Sequence, residues 1–164
     1  MDQSDYLSEI ISRLPENLKQ DIIVLMFGST DQSRQTFYGC EAMHLGHLVN
    51  DNLKCLAYSA ADLFLLPSLA DNLPLSVQES IACGTPVIAF RTGGLPDMVK
   101  PGQTGELVQL GNIDEFIHQV SALLQEPNHL RQMREQCYLS TQEHFSSTKI
   151  IEKHLNLIQN LAKN

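Results

Sequence analysis

The sequence has few basic residues, no long apolar run and no signal peptide. It carries 11 Lys and Arg against 19 Asp and Glu, which gives a formal net charge of -8 over 164 residues. Nucleic acids and anionic membranes are bound through basic faces, so this balance argues against both as partners. No apolar run approaches the roughly 20 residues that span a bilayer, and residues 1–5 lack the basic and apolar regions of a secretion signal. We therefore predict a cytoplasmic protein.

Clustered cysteines are also absent. The four cysteines, at positions 40, 55, 83 and 137, lie too far apart for the CxxC spacing of redox or zinc motifs. Cys55 and Cys83 stand in apolar surroundings, which predicts small core residues. His44 and His47 would point to opposite faces of a strand, so they are unlike a metal-binding pair. We expect no metal and no other cofactor.

The apolar residues, 43% of the chain, follow an alternating pattern of strands and helices. Apolar runs predict strands at 22–27, 43–48, 62–66, 86–90 and 106–109, and the first is typical of a strand buried on both faces. Helical spacing predicts helices near 6–14, 51–60, 75–83, 113–124 and 130–137, and a last one opened by Ser146 or Ser147. Residues 28–40 are predicted to be a loop or a frayed helix. The pattern indicates one α/β domain with a mostly parallel sheet flanked by helices.

Ligands of such sheets bind beyond the carboxyl ends of the strands, and the loop after the third predicted strand is the most unusual of these. It contains Asp71, and Glu79 follows on the next helix. Eight residues of helix would separate the two by about 12 Å, too far for the paired carboxylates of a glycosidase. Between them, the free amides at a helix start can receive a phosphate. This order of groups suits a sugar nucleotide.

The run PSLADNLPLSVQESIACGTPVIAFRTGGLPDMV at 67–99 resembles the donor-site signature of GT-B glycosyltransferases, specifically the retaining enzymes of family 4. The family pattern is PS-x-x-E-G-F-G followed by E-A-x-A-C-G-x-P-V, and a weaker similarity runs from about residue 6 to the C-terminus. The resemblance implies a Rossmann-like fold, the C-terminal half of GT-B. Residues 1–164 would then be the nucleotide-sugar donor-binding domain of a larger two-domain enzyme.

The resemblance also implies roles for individual residues. Glu79 would bond the ribose hydroxyls, and Asp71, the catalytic candidate, would approach the hydroxyls of the sugar. A UDP-hexose is the expected donor, without a metal ion. Backbone groups would hold the rest of the donor: the amides of Asn72, Leu73, Leu75 and Ser76 the sugar and diphosphate, and His47 and Leu48 the edge of the base.

Three departures from the family pattern bear on the site. Asp71 replaces the usual Glu, and Asn72 and Pro74 stand where glycines are usual, so the loop is stiffer and Pro74 has no N–H to donate. The family's C-terminal half normally opens with a strand, an Arg and a nearby Lys-Gly that neutralise the diphosphate, and nothing here matches them. We therefore expect a sheet without its first strand, a partner in the missing acceptor-binding domain, and no useful turnover by this chain alone.

Several alternatives stay open at this point. Gly93 and Gly94 are either a plain turn before Pro96 or a phosphate-proximal loop. The apolar face of the last helix, including Ile151 and Leu155, either packs inward or contacts the N-terminal domain. The rival functions are a sugar-nucleotide epimerase or hydrolase of similar two-lobed architecture, and a degenerate transferase domain that acts as a scaffold.

Overall fold

The computed structural model describes residues 3–28, 36–144 and 147–161, which form six strands and eight helices. The strands are β1 Ile23–Met26, β2 Thr36–Phe37, β3 Cys40–His44, β4 Phe64–Leu66, β5 Val87–Phe90 and β6 Gly105–Val108. The helices are α1 Gln3–Ser12, α2 Glu16–Lys19, α3 Asp51–Ala60, α4 Leu75–Ala82, α5 Leu95–Met98, α6 Ile113–Gln125, α7 Pro127–His144 and α8 Ser147–Leu161.

The strands form two sheets of three strands each, in the orders β1-β3-β2 and β4-β5-β6. All neighbours are parallel except β2, which pairs with β3 in antiparallel fashion. The predicted α/β class, with a mostly parallel sheet flanked by helices, is confirmed. Within the described ranges no strand pairs with a strand of each sheet, so the two sheets are separate. That separation agrees with the expected missing strand, which itself stays a prediction.

The central strand β5 organises the core because all four of its residues are fully buried. Successive side chains of a strand point to opposite faces. Ile88 and Phe90 accordingly pack in one cluster with residues of α1, α6 and α7, while Val87 and Ala89 pack in a second cluster with residues of α4, α5 and α7. The ring of Phe90 lies edge-on to Phe116 on α6, with ring centroids 5.3 Å apart. Helices therefore cover both faces of this sheet and leave its strand ends for the connecting loops.

The first sheet departs from the sequence prediction in three ways. Strand β1 is only partly buried, and Ile23 is 52% exposed, so burial on both faces was wrong. Strand β3 is Cys40–His44 rather than 43–48, because it forms a hairpin with β2 through a turn in which Tyr38 and Gly39 have positive φ. The predicted loop or frayed helix at 28–40 contains β2 instead, and residues 29–35 of it lie outside the described residues.

The predicted helices are all present, and Asn50 caps α3 by accepting a hydrogen bond from the backbone N–H of Asn52. The short helices α2 and α5 were not predicted. Helix α8 begins at Ser147, while Ser146 lies outside the described residues. Inward packing of α8 was wrong, since none of its described residues belongs to either core cluster. Its apolar side chains are 51–68% exposed at Ile151, Leu155, Leu157, Ile158 and Leu161.

The cysteines are all free thiols, and two of them lie deep in the core. Cys40 and Cys137 are buried, whereas Cys55 is exposed on α3 and Cys83 is half-buried at the end of α4. The prediction of a core position was therefore wrong for Cys55, because its turn of α3 faces solvent together with Leu53 and Leu56. Within the described ranges, no helix combines the length and the apolar character that crossing a bilayer requires.

Candidate functional site

An open cleft of about 440 Å³ lies beside the loop that follows β4. Its lining comes from two loops: Ala70, Asp71 and Asn72 after β4, and Thr92 and Gly93 after β5. The strands β4 and β5 are parallel neighbours, so their carboxyl ends meet at the same edge of the sheet, where ligands of α/β proteins bind. Two of the predicted site residues, Asp71 and Asn72, thus line a cleft at the expected edge.

The two loops that line the cleft are in direct contact. Thr92 Oγ1 donates a hydrogen bond to the carbonyl oxygen of Leu69 at 3.1 Å, and the N–H of Gly94 donates to the carbonyl oxygen of Asn72 at 2.8 Å. A Cβ atom on Gly93 would collide with the carbonyl oxygen of Asp71, and one on Gly94 with that of Asn72. The choice between a plain turn and a phosphate-proximal loop stays a prediction, whereas the need for glycine at both positions has a structural reason. Their lack of a side chain permits the close approach that shapes the Asp71 loop.

The N-terminus of α4 continues directly from this loop. Pro74 occupies the N-cap position and provides no side-chain cap, and its carbonyl oxygen accepts a hydrogen bond from the N–H of Val77 at 3.1 Å. The first N–H groups of a helix, here those of Leu75 and Ser76, have no partner within the helix. Leu73 and Leu75 are 55% and 70% exposed, so this helix end is open to solvent. Such an end can bind an anion through its amides and the helix dipole.

Glu79 lies on the second turn of α4, with its side chain 41% exposed. Tyr58 Oη donates a hydrogen bond to Oε2 of Glu79 at 3.2 Å, and Lys54 Nζ lies 3.8 Å from Oε1. Burial, and then the negative charge of Glu79, raise the pKa of Tyr58 above its usual range, so its hydroxyl stays protonated and available as a donor. Lys54 and Tyr58 are one turn apart on α3 and therefore present their side chains on one face.

His47 and Leu48 lie in the segment that follows β3. The backbone N–H of Leu45 donates to Met26 at 2.8 Å, and that of Gly28 donates to Gly46 at 2.8 Å, so this segment stays joined to the end of β1. The neighbouring ring of Phe27 lies edge-on to Tyr58, with centroids 5.4 Å apart. The contacts lead from this segment towards Glu79, and neither His47 nor Leu48 is among the described residues that line the Asp71 cleft.

A family comparison identifies the chain. Residues 3–140 match the family described as "Glycosyl transferases group 1". The chain belongs to this family. The sulfoquinovosyl transferase of Arabidopsis thaliana is 36% identical to it over 102 residues, which are 60% of this chain and 19% of that enzyme.

Solved structures share the fold of this group 1 chain. Sucrose-phosphate synthase from Thermosynechococcus elongatus superposes with a TM-score of 0.78 at 24% identity, over 98% of this chain and 42% of that one. The Anabaena protein HepE, in complex with UDP-glucose, superposes with a TM-score of 0.74 at 16% identity, over 95% and 44%. These likenesses confirm the predicted C-terminal half of a GT-B fold. The chain spans less than half the length of each of these three proteins.

Sequence reasoning missed several residues of the site of this group 1 chain. Tyr58 contacts Glu79, which is 21 residues later in the sequence, and no local sequence pattern predicts that contact. Thr92 could have been considered, since it directly follows an apolar strand at the ligand-binding edge of a parallel sheet. Within the part of the chain that the structure describes, no group of three or more His, Cys, Asp and Glu side chains is arranged to hold a metal ion.

Proposed function

We propose that this chain is the donor-binding half of a retaining, family 4 glycosyltransferase, and that it binds a nucleoside-diphosphate hexose, with UDP as the first candidate nucleotide. The observation that carries the proposal is the Asp71 cleft at the carboxyl edge of the sheet, which continues onto the uncapped N-terminus of α4. Family membership supports the transferase chemistry. We place the protein in the cytoplasm, where sugar nucleotides are the available donors of such enzymes.

The proposed donor would follow the path from Glu79 to the cleft. The ribose hydroxyls would bond the Glu79 carboxylate, which is partly exposed and already faces two donors of α3. The diphosphate would meet the first amides of α4, including those of Leu75 and Ser76, where the helix dipole favours negative charge. The hexose would lie in the cleft beside Asp71 and the amides of Asn72 and Leu73. The backbone at His47 and Leu48 would edge the base.

Transfer would need more than this chain. In the full enzyme an acceptor-binding domain would align the acceptor with the hexose, and the rate would come from that alignment and from stabilising charge on the departing diphosphate. Asp71 is the candidate that touches the reacting sugar. The exposed apolar side chains of α8 support a contact with a further domain, because exposed apolar faces of this kind mark interaction surfaces. The isolated chain is expected to bind the donor without turnover.

UDP is the first candidate because of a likeness in fold. The Anabaena protein HepE, which shares the fold over 95% of this chain, has been crystallised with UDP-glucose. At 16% identity this likeness leaves the base and the sugar to experiment.

Titration calorimetry of the purified chain with UDP, GDP, ADP and UDP-glucose tests the proposal. Glu79→Ala should weaken binding of the preferred nucleotide at least about tenfold, since a hydrogen bond to a charged group contributes about 1.5–3 kcal/mol. Asp71→Ala should weaken UDP-glucose while leaving UDP nearly unchanged, because Asp71 is assigned to the sugar. Glu135→Ala, an exposed carboxylate on α7, is the matched control and should bind as the unmodified chain does.

The two rival functions predict different results. A scaffold domain is supported by Pro74, which removes an N–H just before the helix start. Absence of heat with all four ligands, from a sample whose folding is verified, would favour the scaffold and contradict the donor role. An epimerase or hydrolase would be favoured by a second titratable acid–base group near Asp71. Asp71 is the one titratable side chain among the described residues that line the cleft, so the lining offers no second such group.

A further inference from the structure

The Glu79 carboxylate is held by two side chains of α3 and is partly exposed to solvent. Tyr58 Oη donates to Oε2 at 3.2 Å, and Lys54 Nζ lies 3.8 Å from Oε1 while it also lies 3.4 Å from Asp51 on its own helix. Each oxygen of a carboxylate can accept about two hydrogen bonds. Tyr58 and Lys54 therefore do not use the full accepting capacity of the carboxylate, and 41% of the Glu79 side chain is exposed, so a ligand can reach it.

Tyr58 is held rigidly, unlike the exposed Glu79. It is only 4% exposed, and its ring is packed edge-on against Phe27 and Phe64, with centroids 5.4 and 5.6 Å away. Its carbonyl oxygen accepts a hydrogen bond from Thr85 Oγ1 at 2.5 Å. Packing in the core therefore fixes the direction of the Tyr58 hydroxyl. The hydrogen bond from this hydroxyl restrains the partly exposed Glu79 carboxylate.

The helix that carries Glu79 is tied to the helix that carries Tyr58. Ser59 Oγ on α3 donates to the carbonyl oxygen of Cys83, which caps α4, at 3.2 Å. The N–H of Cys83 in turn donates to the carbonyl oxygen of Glu79 at 3.0 Å. These hydrogen bonds fix the backbone of Glu79 relative to α3. The position of its carboxylate then depends on the rotation of its own side-chain bonds.

We propose that Tyr58, assisted by Lys54, is a positioning residue that holds the Glu79 carboxylate ready for the two vicinal hydroxyls of a ribose. This inference rests on the proposed function, in which Glu79 binds the ribose of the donor nucleotide. An exposed glutamate without partners samples many rotamers, and ordering it on binding costs affinity. A carboxylate that is already oriented avoids that cost. The gain in affinity applies to ligands whose ribose carries both vicinal hydroxyls, because these are the groups that bond the carboxylate.

The experiment compares ribose with dideoxyribose in the full chain. Calorimetry measures the affinities for UDP and for 2',3'-dideoxy-UDP, and the same pair of ADP or GDP analogues is used if that nucleotide binds best. The unmodified chain is expected to prefer the ribonucleotide by about 20-fold or more, and Glu79→Ala to lose the preference. Tyr58→Phe should reduce the preference about fivefold by weakening the ribonucleotide alone. Tyr6→Phe is the control, since its ring packs edge-on against Phe90 in the core cluster that contains α1 and α6.

A second variant keeps the test decisive if Tyr58→Phe does not fold. Lys54→Met should reduce the ribose preference about twofold at low salt and have no effect at about 0.5 M salt, because a partly exposed charge is screened there.

The outcomes separate the two proposals. Absence of nucleotide binding, or a preference that survives Glu79→Ala, overturns the proposed function. A ribose preference that depends on Glu79 but is unchanged in Tyr58→Phe overturns the positioning role alone. An equal loss of both ligands in Tyr58→Phe also overturns it, since that is the signature of a purely structural residue.

Discussion

Replacing Gly93 by alanine tests whether the contact between the two loops shapes the cleft. Gly93 has φ of +51°, and a Cβ there would collide with the carbonyl oxygen of Asp71 and lie 2.9 Å from its carbonyl carbon. The oxygen would have to move by about 1 Å before it reached even a tight contact, and this shift would misalign the hydrogen bonds that Asp71 is proposed to make to the hexose, where one bond to a charged group contributes about 1.5–3 kcal/mol. We expect Gly93→Ala to weaken binding of the nucleotide sugar at least about tenfold.

The effect on stability has two parts that a matched control separates. A non-glycine residue in the left-handed region costs about 1–2 kcal/mol, and the collision adds to it. Gly102 has φ of +72°, and a Cβ added there would have no atom within 4 Å, so Gly102→Ala carries the conformational cost alone. Gly93→Ala is expected to lower the free energy of unfolding by about 1–2 kcal/mol more than Gly102→Ala does.

Urea unfolding and calorimetry with UDP-glucose measure these two effects. The reasoning is refuted if Gly93→Ala binds the ligand as tightly as Gly102→Ala and unfolds at the same urea concentration. The contact between the loops would then be adjustable, and the glycine would not define the shape of the site.

Three other predictions concern thiols and a partly buried cation. Iodoacetamide at about pH 8 should alkylate Cys55 first, because it is exposed, whereas burial raises the pKa of Cys83 and of Cys137 to about 12; peptide mass spectrometry checks the order. The pKa of the Cys137 thiol is about 12 in the folded state, so between about pH 9 and 12 this thiol loses its proton in the unfolded state before it does in the folded state. The free energy of unfolding should therefore decrease across that pH range, and Cys137→Ala should make the decrease smaller. Arg134 on α7 donates to two carbonyl oxygens at the end of α3, each at 2.6 Å, so Arg134→Met should lower the free energy of unfolding by about 2–3 kcal/mol, while Arg131→Met, an exposed neighbour, should change it by less than about 0.5 kcal/mol.

The sequence predicted those parts of the fold that depend on local pattern. The run at β5 is apolar at every position, and it is the fully buried central strand of its sheet. The run at β1 is also apolar at every position but is only partly buried, because burial depends on which elements cover a strand and not on the strand itself. The apolar face of α8 likewise matched a core helix, although its side chains are exposed.

The site was predictable to the extent that one contiguous segment forms it. Asp71 and Asn72 line the cleft because they follow a parallel strand, which the pattern indicated. The partners Tyr58 and Lys54 of Glu79 come from another helix, and contacts between helices are set by tertiary packing. The requirement for glycine at position 93 arises from a loop 22 residues earlier in the chain, and no local turn rule reveals it.

The central claim is that a nucleotide sugar binds at the Asp71 cleft and along the start of α4. A titration of ¹⁵N-labelled protein with UDP-glucose, followed by amide resonances, tests it most directly. The account predicts that the shifted resonances cluster in residues 70–79 and 92–94, with saturation at a defined ligand concentration. Saturable shifts confined to α6, α7 or α8, or no shifts at any concentration, would contradict it.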